Sequence, residues 1–479
     1  MASTNTKRVV IEPVTRVEGH GKVTILLDEK NRVQQARLHV VEFRGFERFI
    51  QGRPFWEVPV LVQRLCGICP VSHHLAAAKA MDRIVGGENL TPTAEKMRRL
   101  MHYGQMFQSH ALHFFHLCSP DLLFGFDADV AIRNVIGVAA KYPDLAVQGV
   151  MMRKYGQEVI RLTAGKKIHG TGAIPGGINK NLSVEERDFL LKDLDQMITW
   201  SRGALKIAKD YTVENLEKVA PFGSFDSNHL SLIRADGAMD LYHGNLRAID
   251  AQGNKIFDQV DYCKYVDYIV EEVRNWSYMK FPFIKSLGPE TGWYRVGPLA
   301  RVNTCDFIDT PEAEAARKEF MAVTDNKPNN LTMAYHWTRM IELLHSIEKI
   351  KDLLHDKDLQ GNDLVVKGER REEGIGLIEA PRGTLFHHYR VDKNDQVVMG
   401  NLIVSTTSNN EPMNRAVQKV AEDHLSGQSE LTEGLLNHVE VAIRAYDPCL
   451  SCATHALGRM PLVVELVDAQ GNMIDRKAR

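Results

Sequence analysis

The sequence predicts a mainly helical α+β fold: a large helical-bundle core with small antiparallel β elements at the N-terminus, in the middle and at the C-terminus. Three features carry this expectation. Long apolar stripes recur at helical spacing behind capping residues; short alternating runs are broken by Asp-Gly, Gln-Gly-Asn and Asn-Asp turns; and no Pro- or Ser-rich linker or internal repeat divides the 479 residues. A chain that is 44% hydrophobic and 25% charged can bury a large core, so a single domain over residues 1–479 is expected.

The N-terminal stretch GKVTILLDEKNRVQQARLHVVEF (21–43) alternates apolar and polar residues around Glu29-Lys30-Asn31, which predicts a β-hairpin. Thr91 and Pro92 stand in the cap and first-turn positions of a long, mostly buried helix over 91–117, in which Met97, Leu100, Met101, Phe107 and Ala111 share a face. Ser183 and Glu186 have capping-box spacing and open another helix, and residues 330–356 carry a further apolar stripe. Between these helices, residues 230–260 have the short alternating runs of an antiparallel meander. A second β element is expected over 383–405, turning near Asn394-Asp395, while the charged stretch KGERREEGIG (367–376) reads as a surface loop. The last helix, 432–446, must stop at Pro448, which leaves Cys449 and Cys452 just beyond a helix end.

The formal net charge of −2 gives no electrostatic reason to expect nucleic acid or an anionic membrane as a partner. The segment MASTNTKRVVIEPV lacks an apolar signal core, and no apolar run approaches the roughly 20 residues that span a bilayer, so a cytoplasmic protein without a membrane span is expected. Seven cysteines, an odd and small number, argue for reduced thiols rather than a disulfide framework.

Four of those cysteines fall in two Cys-x-x-Cys pairs, in RLCGICPVSHH (64–74) and DPCLSCATH (447–455). Two thiolates on a turn can converge on one ion, and two such turns supply four sulfurs. Spacing alone leaves three readings open. A structural zinc usually draws its pairs from a few dozen residues, and a cubane iron–sulfur cluster usually uses a tighter run of cysteines. Here Cys69 and Cys449 are 380 positions apart, which also admits a catalytic centre closed by the two ends of the chain.

The flanking residues shift the weights among them. Arg-x-Cys-Gly-x-Cys-x-x-x-His at 64–73 and Asp-Pro-Cys-x-x-Cys-x-x-His at 447–455 resemble the signatures of the large subunit of nickel–iron hydrogenases. The likeness extends in order through VTRVEGHGK (14–22), EFRGFERFIQGRP (42–54), GKKIHGTGAIPGG (165–177), EAPRGTLFHH (379–388) and LIVSTT (402–407), and so covers almost the whole chain. The loops and the C-terminal tail look most like the cytoplasmic NAD-reducing branch.

The resemblance implies that Cys66 and Cys449 bind nickel terminally, while Cys69 and Cys452 bridge it to an iron that carries CO and two cyanides. It further implies that Glu18 accepts the proton released when dihydrogen is split, and that Arg382 lies over the open metal edge with Asp447 as its partner. Thr406 stands where a hydroxyl bonds a cyanide, and Glu47, the carbonyl of Leu402 and His455 are implied magnesium ligands. Without the resemblance, Glu18 and Arg382 would read as ion-pair residues, Thr406 as a packed strand residue, and Glu47 and His455 as surface groups. Ser109 replaces an acidic residue common in the wider family, which leaves its role open.

His110, His113 and His116 fall three apart on the long helix and mimic a metal site, but same-face histidines are more often core or relay groups. Cys118, Cys263 and Cys305 have no partner at motif spacing and read as buried thiols.

In most of this family an endopeptidase removes the tail after the last His, here residues 456–479; alternatively the tail is a plain β-hairpin turning at Gln470-Gly471-Asn472. The expected activity is reversible, heterolytic cleavage of dihydrogen. The chain has no further cysteine cluster for an electron relay and no Gly-x-Gly-x-x-Gly dinucleotide signature. A small iron–sulfur subunit, together with a diaphorase pair bearing FMN and the NAD site, is therefore implied as partner. The rivals are a hydrogenase of another cytoplasmic branch, deazaflavin- or thiol/disulfide-linked, and a structural-zinc protein. The related quinone-site subunit of respiratory complex I lacks the four cysteines.

Overall fold

The computed structural model describes residues 7–454 together with the strands Val463–Val467 and Met473–Ala478. Its centre is a bundle in which the helices Pro92–Leu112, Pro143–Ala164, Val184–Glu214 and Ala334–Leu354 pack side by side over one large apolar cluster. The caps fall where the sequence places them. Thr91 accepts from the Ala94 amide at 3.1 Å, and Ser183 and Glu186 close a full capping box. The Pro92–Leu112 helix does not simply run on to residue 117, however: His113–Cys118 is a π-helical turn, followed by the short helix Ser119–Phe124.

The β elements surround this bundle. At the N-terminus the expected hairpin, Gly21–Leu27 with Val33–Val40, is joined by Lys7–Ile11 as a third antiparallel strand. The turn is built by Asp28, whose Oδ1 accepts from the amides of Lys30 and Arg32. The middle meander, Asn228–Ile233, Asn245–Ile249 and Lys255–Val260, is antiparallel as expected, but Tyr294–Arg295 adds a parallel edge. The third sheet runs Glu373–Ala380, Gly383–Val391, Val397–Ile403.

That third sheet corrects the expected 367–376 loop, because its last four residues open a strand. Glycine here serves packing. A Cβ on Gly374 would stand 2.0 Å from the carbonyl oxygen of Ala80, and one on Gly376 equally close to that of Ala76. Their bare backbone lets the helix Pro70–Ile84 lie directly on the sheet. This contact positions the site: Cys69 caps that helix, Arg382 sits in the turn between the first two strands, and Thr406 follows the third.

Among the described residues no helix is long and apolar enough to cross a membrane. The strands Val463–Val467 and Met473–Ala478 pair antiparallel, as a tail hairpin requires; its turn residues and His455 lie outside the described residues.

Candidate metal centre

The two ends of the chain meet. Cys66 follows a 3-10 turn in extended backbone, Cys69 caps the Pro70–Ile84 helix, and Cys449 caps the short helix Leu450–Ala453 that contains Cys452. Their sulfurs stand 3.2 Å (Cys66 to Cys449), 3.8 Å (Cys69 to Cys449), 3.6 Å (Cys69 to Cys452) and 2.9 Å (Cys449 to Cys452) apart. All four are free thiols buried in one apolar cluster with Val62, Leu75 and Leu402. The amides of Ile68 and Cys69 point at Cys66 Sγ, at 3.2 and 3.5 Å.

Such a set cannot ionise alone. Hydrogen bonds from the neighbouring thiols hold Cys66 well below its ordinary value, whereas burial pushes Cys449 and Cys452 well above theirs. A thiophilic cation supplies the positive charge that four buried thiolates need. The donor set therefore fits a soft, sulfur-bound metal centre.

The surrounding residues are built onto these turns. A parallel bridge joins Glu18 to Cys449, in which the Glu18 carbonyl accepts from the Leu450 amide at 3.0 Å. Glu18 Oε2 then stands 3.0 Å from Cys449 Sγ and accepts from the Ser451 amide at 3.1 Å. Burial, reinforced by the negative charge of Cys66, raises its carboxyl above the usual range. Arg382 donates to Asp447 Oδ1 at 2.9 Å and to Ser109 Oγ at 3.2 Å. Both are buried, and Arg382 Nε and Asp447 Oδ2 have no hydrogen-bond partner among the described residues, so polar groups remain for something not of this chain. Thr406 lies in a helical turn, Ser405–Ser408, rather than in a strand; its Oγ1 accepts from the Cys449 amide at 2.9 Å, which leaves its hydroxyl proton free to donate elsewhere. Between Arg382, Thr406 and the sulfurs of Cys69 and Cys449 is a small cavity with an apolar wall of Pro381, Leu385 and Val404.

Glu47 is buried, and its Oε1 accepts from the Leu402 amide at 2.8 Å, which brings these two candidates together. Lys280, which the sequence did not single out, places Nζ 3.5 Å from the same oxygen and 3.1 Å from Glu271. Also missed was a chain of buried rings: His73, lining the cavity, meets His387 at 3.1 Å, and His387 meets the Tyr389 hydroxyl at 2.5 Å. Both histidines stand inside quoted motifs, so the signal was present without a distance to give it meaning. His110, His113 and His116 do not converge: His110 bonds Glu342, His113 bonds the Arg444 carbonyl, and His116 is half-buried.

Comparison with known proteins decides among the metal readings. A family described as nickel-dependent hydrogenase matches residues 44–131 and 214–455, and one described as HoxL-like matches residues 8–43. The NAD-reducing hydrogenase HoxS subunit beta of Cupriavidus necator is 51% identical over 487 residues, covering 99% of this chain and all of that one. The chain belongs to the nickel-dependent hydrogenase family. A crystal structure of an NAD+-reducing [NiFe]-hydrogenase in the H2-reduced state superposes with a TM-score of 0.92 at 57% identity, covering 94% of this chain and 99% of that one. A chain of the F420-non-reducing hydrogenase of Methanothermobacter thermautotrophicus is 42% identical over 98% of this chain and 99% of its own length. The mainly helical fold with small sheets is that of the hydrogenase large subunit, and the four converging cysteines fit its nickel–iron site. The expectations of a structural zinc and of a cubane cluster are set aside by the same matches.

Proposed function

We propose that this chain is the catalytic subunit of an enzyme that splits dihydrogen reversibly and heterolytically and passes the electrons through partner subunits to NAD+. The convergence of four cysteine sulfurs from both ends of the chain, with Glu18 Oε2 3.0 Å from one of them, carries the proposal. When bound, the nickel–iron pair supplies the redox-active site at which dihydrogen is polarised. Cys66 and Cys449 would hold the nickel, and Cys69 and Cys452 would give their thiolates to both metals. Cys449 Sγ is the first resting place of the released proton and Glu18 Oε2 the next, a transfer across an existing 3.0 Å contact to a carboxyl whose proton affinity burial raises. Arg382, held by Asp447, lines the cavity, where its unused N–H and the Thr406 hydroxyl would donate to cyanide ligands, while the apolar wall would accommodate CO.

The acceptor assignment rests on the 51% identity to a relative named NAD-reducing, against 42% to one named F420-non-reducing. It brings with it a small iron–sulfur subunit, a diaphorase pair with FMN and the NAD site, and a cytoplasmic setting. Magnesium is assigned to Glu47, the Leu402 carbonyl and His455, supported by the meeting of Glu47 with the Leu402 backbone. Removal of residues 456–479 by an endopeptidase is assigned because that tail begins directly after His455, the last residue of the second cysteine motif.

An infrared spectrum of the purified, nickel-containing protein tests the assignment. One carbonyl and two cyanide bands, with hydrogen-dependent NAD+ reduction by the complex, are expected. Zinc in place of nickel with no such bands would overturn it.

A further inference from the structure

Outside the four-cysteine centre, the described residues contain one further group of three buried metal-ligating side chains: His113, Cys118 and His336. The backbone explains how two of them come together. On an α-helix, residues five apart point about 140° away from one another. From His113 to Cys118 the helix is π, with hydrogen bonds closing over five residues, so these two side chains stand on one side. His336 comes from the first turn of the facing Ala334–Leu354 helix. One ligand atom from each of the three lies within 4.8 Å of the other two.

Hydrogen bonding leaves the group unfinished. His113 donates from Nε2 to the Arg444 carbonyl at 2.7 Å, so in the neutral ring Nδ1 is a bare acceptor. That nitrogen is buried without a partner among the described residues, and so is His336 Nδ1. Cys118 Sγ reaches only the Phe114 carbonyl, at 3.4 Å. Burial keeps both rings neutral, His113 well below its ordinary value and His336 at about 3. The ring centroids are 5.6 Å apart with planes 16° from parallel, and a ligand atom of each lies within 4.8 Å of the other.

We propose that His113, Cys118 and His336 form a three-coordinate site for a soft monovalent cation, Cu+. Charge selects the ion. One thiolate and two neutral imidazoles around Cu+ sum to zero, and the thiol proton leaves to solvent as the ion enters. With Zn2+ the same ligands would bury a net positive charge beside Arg339, whose guanidinium is itself buried and bonds the carbonyls of Tyr335 and Ala445. An uncompensated buried charge is what an interior tolerates least, and thiolate is a ligand suited to Cu+. Burial pushes the Cys118 thiol up to about 12, so a thiophilic ion is needed to ionise it at all.

The test uses the nickel-loaded enzyme with its partner subunits, incubated anaerobically with Cu+ or with Zn2+ and then desalted against a competing chelator. Wild type is expected to retain one copper per chain; Cys118→Ala and His336→Gln are expected to lose at least 90% of it with unchanged nickel content and melting temperature. X-ray absorption at the copper edge, read on wild type alone, should show two nitrogens and one sulfur, which keeps the proposal testable if a variant fails to assemble. Retention of zinc but not copper would overturn the choice of ion. No retained metal, copper held equally by both variants, or an all-sulfur copper shell would overturn the site.

Discussion

Glu18 is a carboxylate whose proton affinity burial raises, while the Ser451 amide and Cys449 thiol fix its Oε2 in place. Glu18→Gln keeps the size and the acceptor oxygen but cannot take a proton. It is expected to lower hydrogen-oxidation turnover by about 10²- to 10⁴-fold, as loss of a positioned acid–base group does. Nickel content and the infrared bands should stay as in wild type; lost bands would mean that Glu18 builds the centre rather than serving it. At this scale legibility varied sharply. The four cysteines announce themselves by spacing, and the separate family motifs at 14–22 and 379–388 carry Glu18 and Arg382. Lys280 carries no local signal at all, because only the fold brings it to Glu47. The His113–Cys118–His336 group was hidden for a physical reason: helical periodicity assumes 3.6 residues per turn, which puts His110, His113 and His116 on one face, and the π turn breaks that period.

Between elements, one buried tie in the bundle is ionic. Arg301, on the helix Pro298–Thr304, engages both oxygens of Glu342 on the Ala334–Leu354 helix, at 2.5 and 2.6 Å, and reaches Glu379 on the third sheet at 2.7 Å. His110 on the Pro92–Leu112 helix completes the Glu342 contacts at 3.0 Å. One guanidinium thus serves two buried carboxylates unequally. Burial alone would raise Glu342, but Arg301 and His110 outweigh it and hold it at about 2; burial wins at Glu379, which is raised. Arg301→Met strands both carboxylates and should destabilise the protein by roughly 3–5 kcal/mol, read as a fall in melting temperature. The sign of the pH effect follows. Because Glu342 sits below its ordinary 4.5 in the folded chain, the stability it contributes is complete above about pH 4.5 and lost as pH falls towards 2. Glu342→Gln should flatten the acid limb of a stability–pH curve in that window, and an unchanged limb would refute the ion pair's role. The elements themselves were largely legible, since caps and apolar stripes are local signals. The strand beginning at Glu373 was not, because Gly374 and Gly376 look like loop residues until the helix resting on them is seen.

Over the whole molecule, the centre depends on closure of the chain upon itself. The N-terminal sheet is fastened to the C-terminal helices by the Leu38 amide on Asn414 at 2.9 Å, by Thr15 on Glu440 at 2.6 and 3.0 Å, and by the Glu18–Cys449 bridge. A metal bound by Cys66, Cys69, Cys449 and Cys452 would add to that closure, because a ligand held only by the folded state stabilises it in proportion to how tightly it binds. The prediction concerns both ends at once. Hydrogen exchange of the metal-free chain, compared with the loaded one, should speed up at the amides of Cys66–Cys69 and of Cys449–Cys452 together, and by a similar factor. Local opening of one turn would expose only one pair, whereas loss of a shared ion frees both in a single step. If the C-terminal amides exchange faster while those near Cys66 keep their protection, the two pairs do not share a metal, and the juxtaposition of their sulfurs serves packing rather than catalysis.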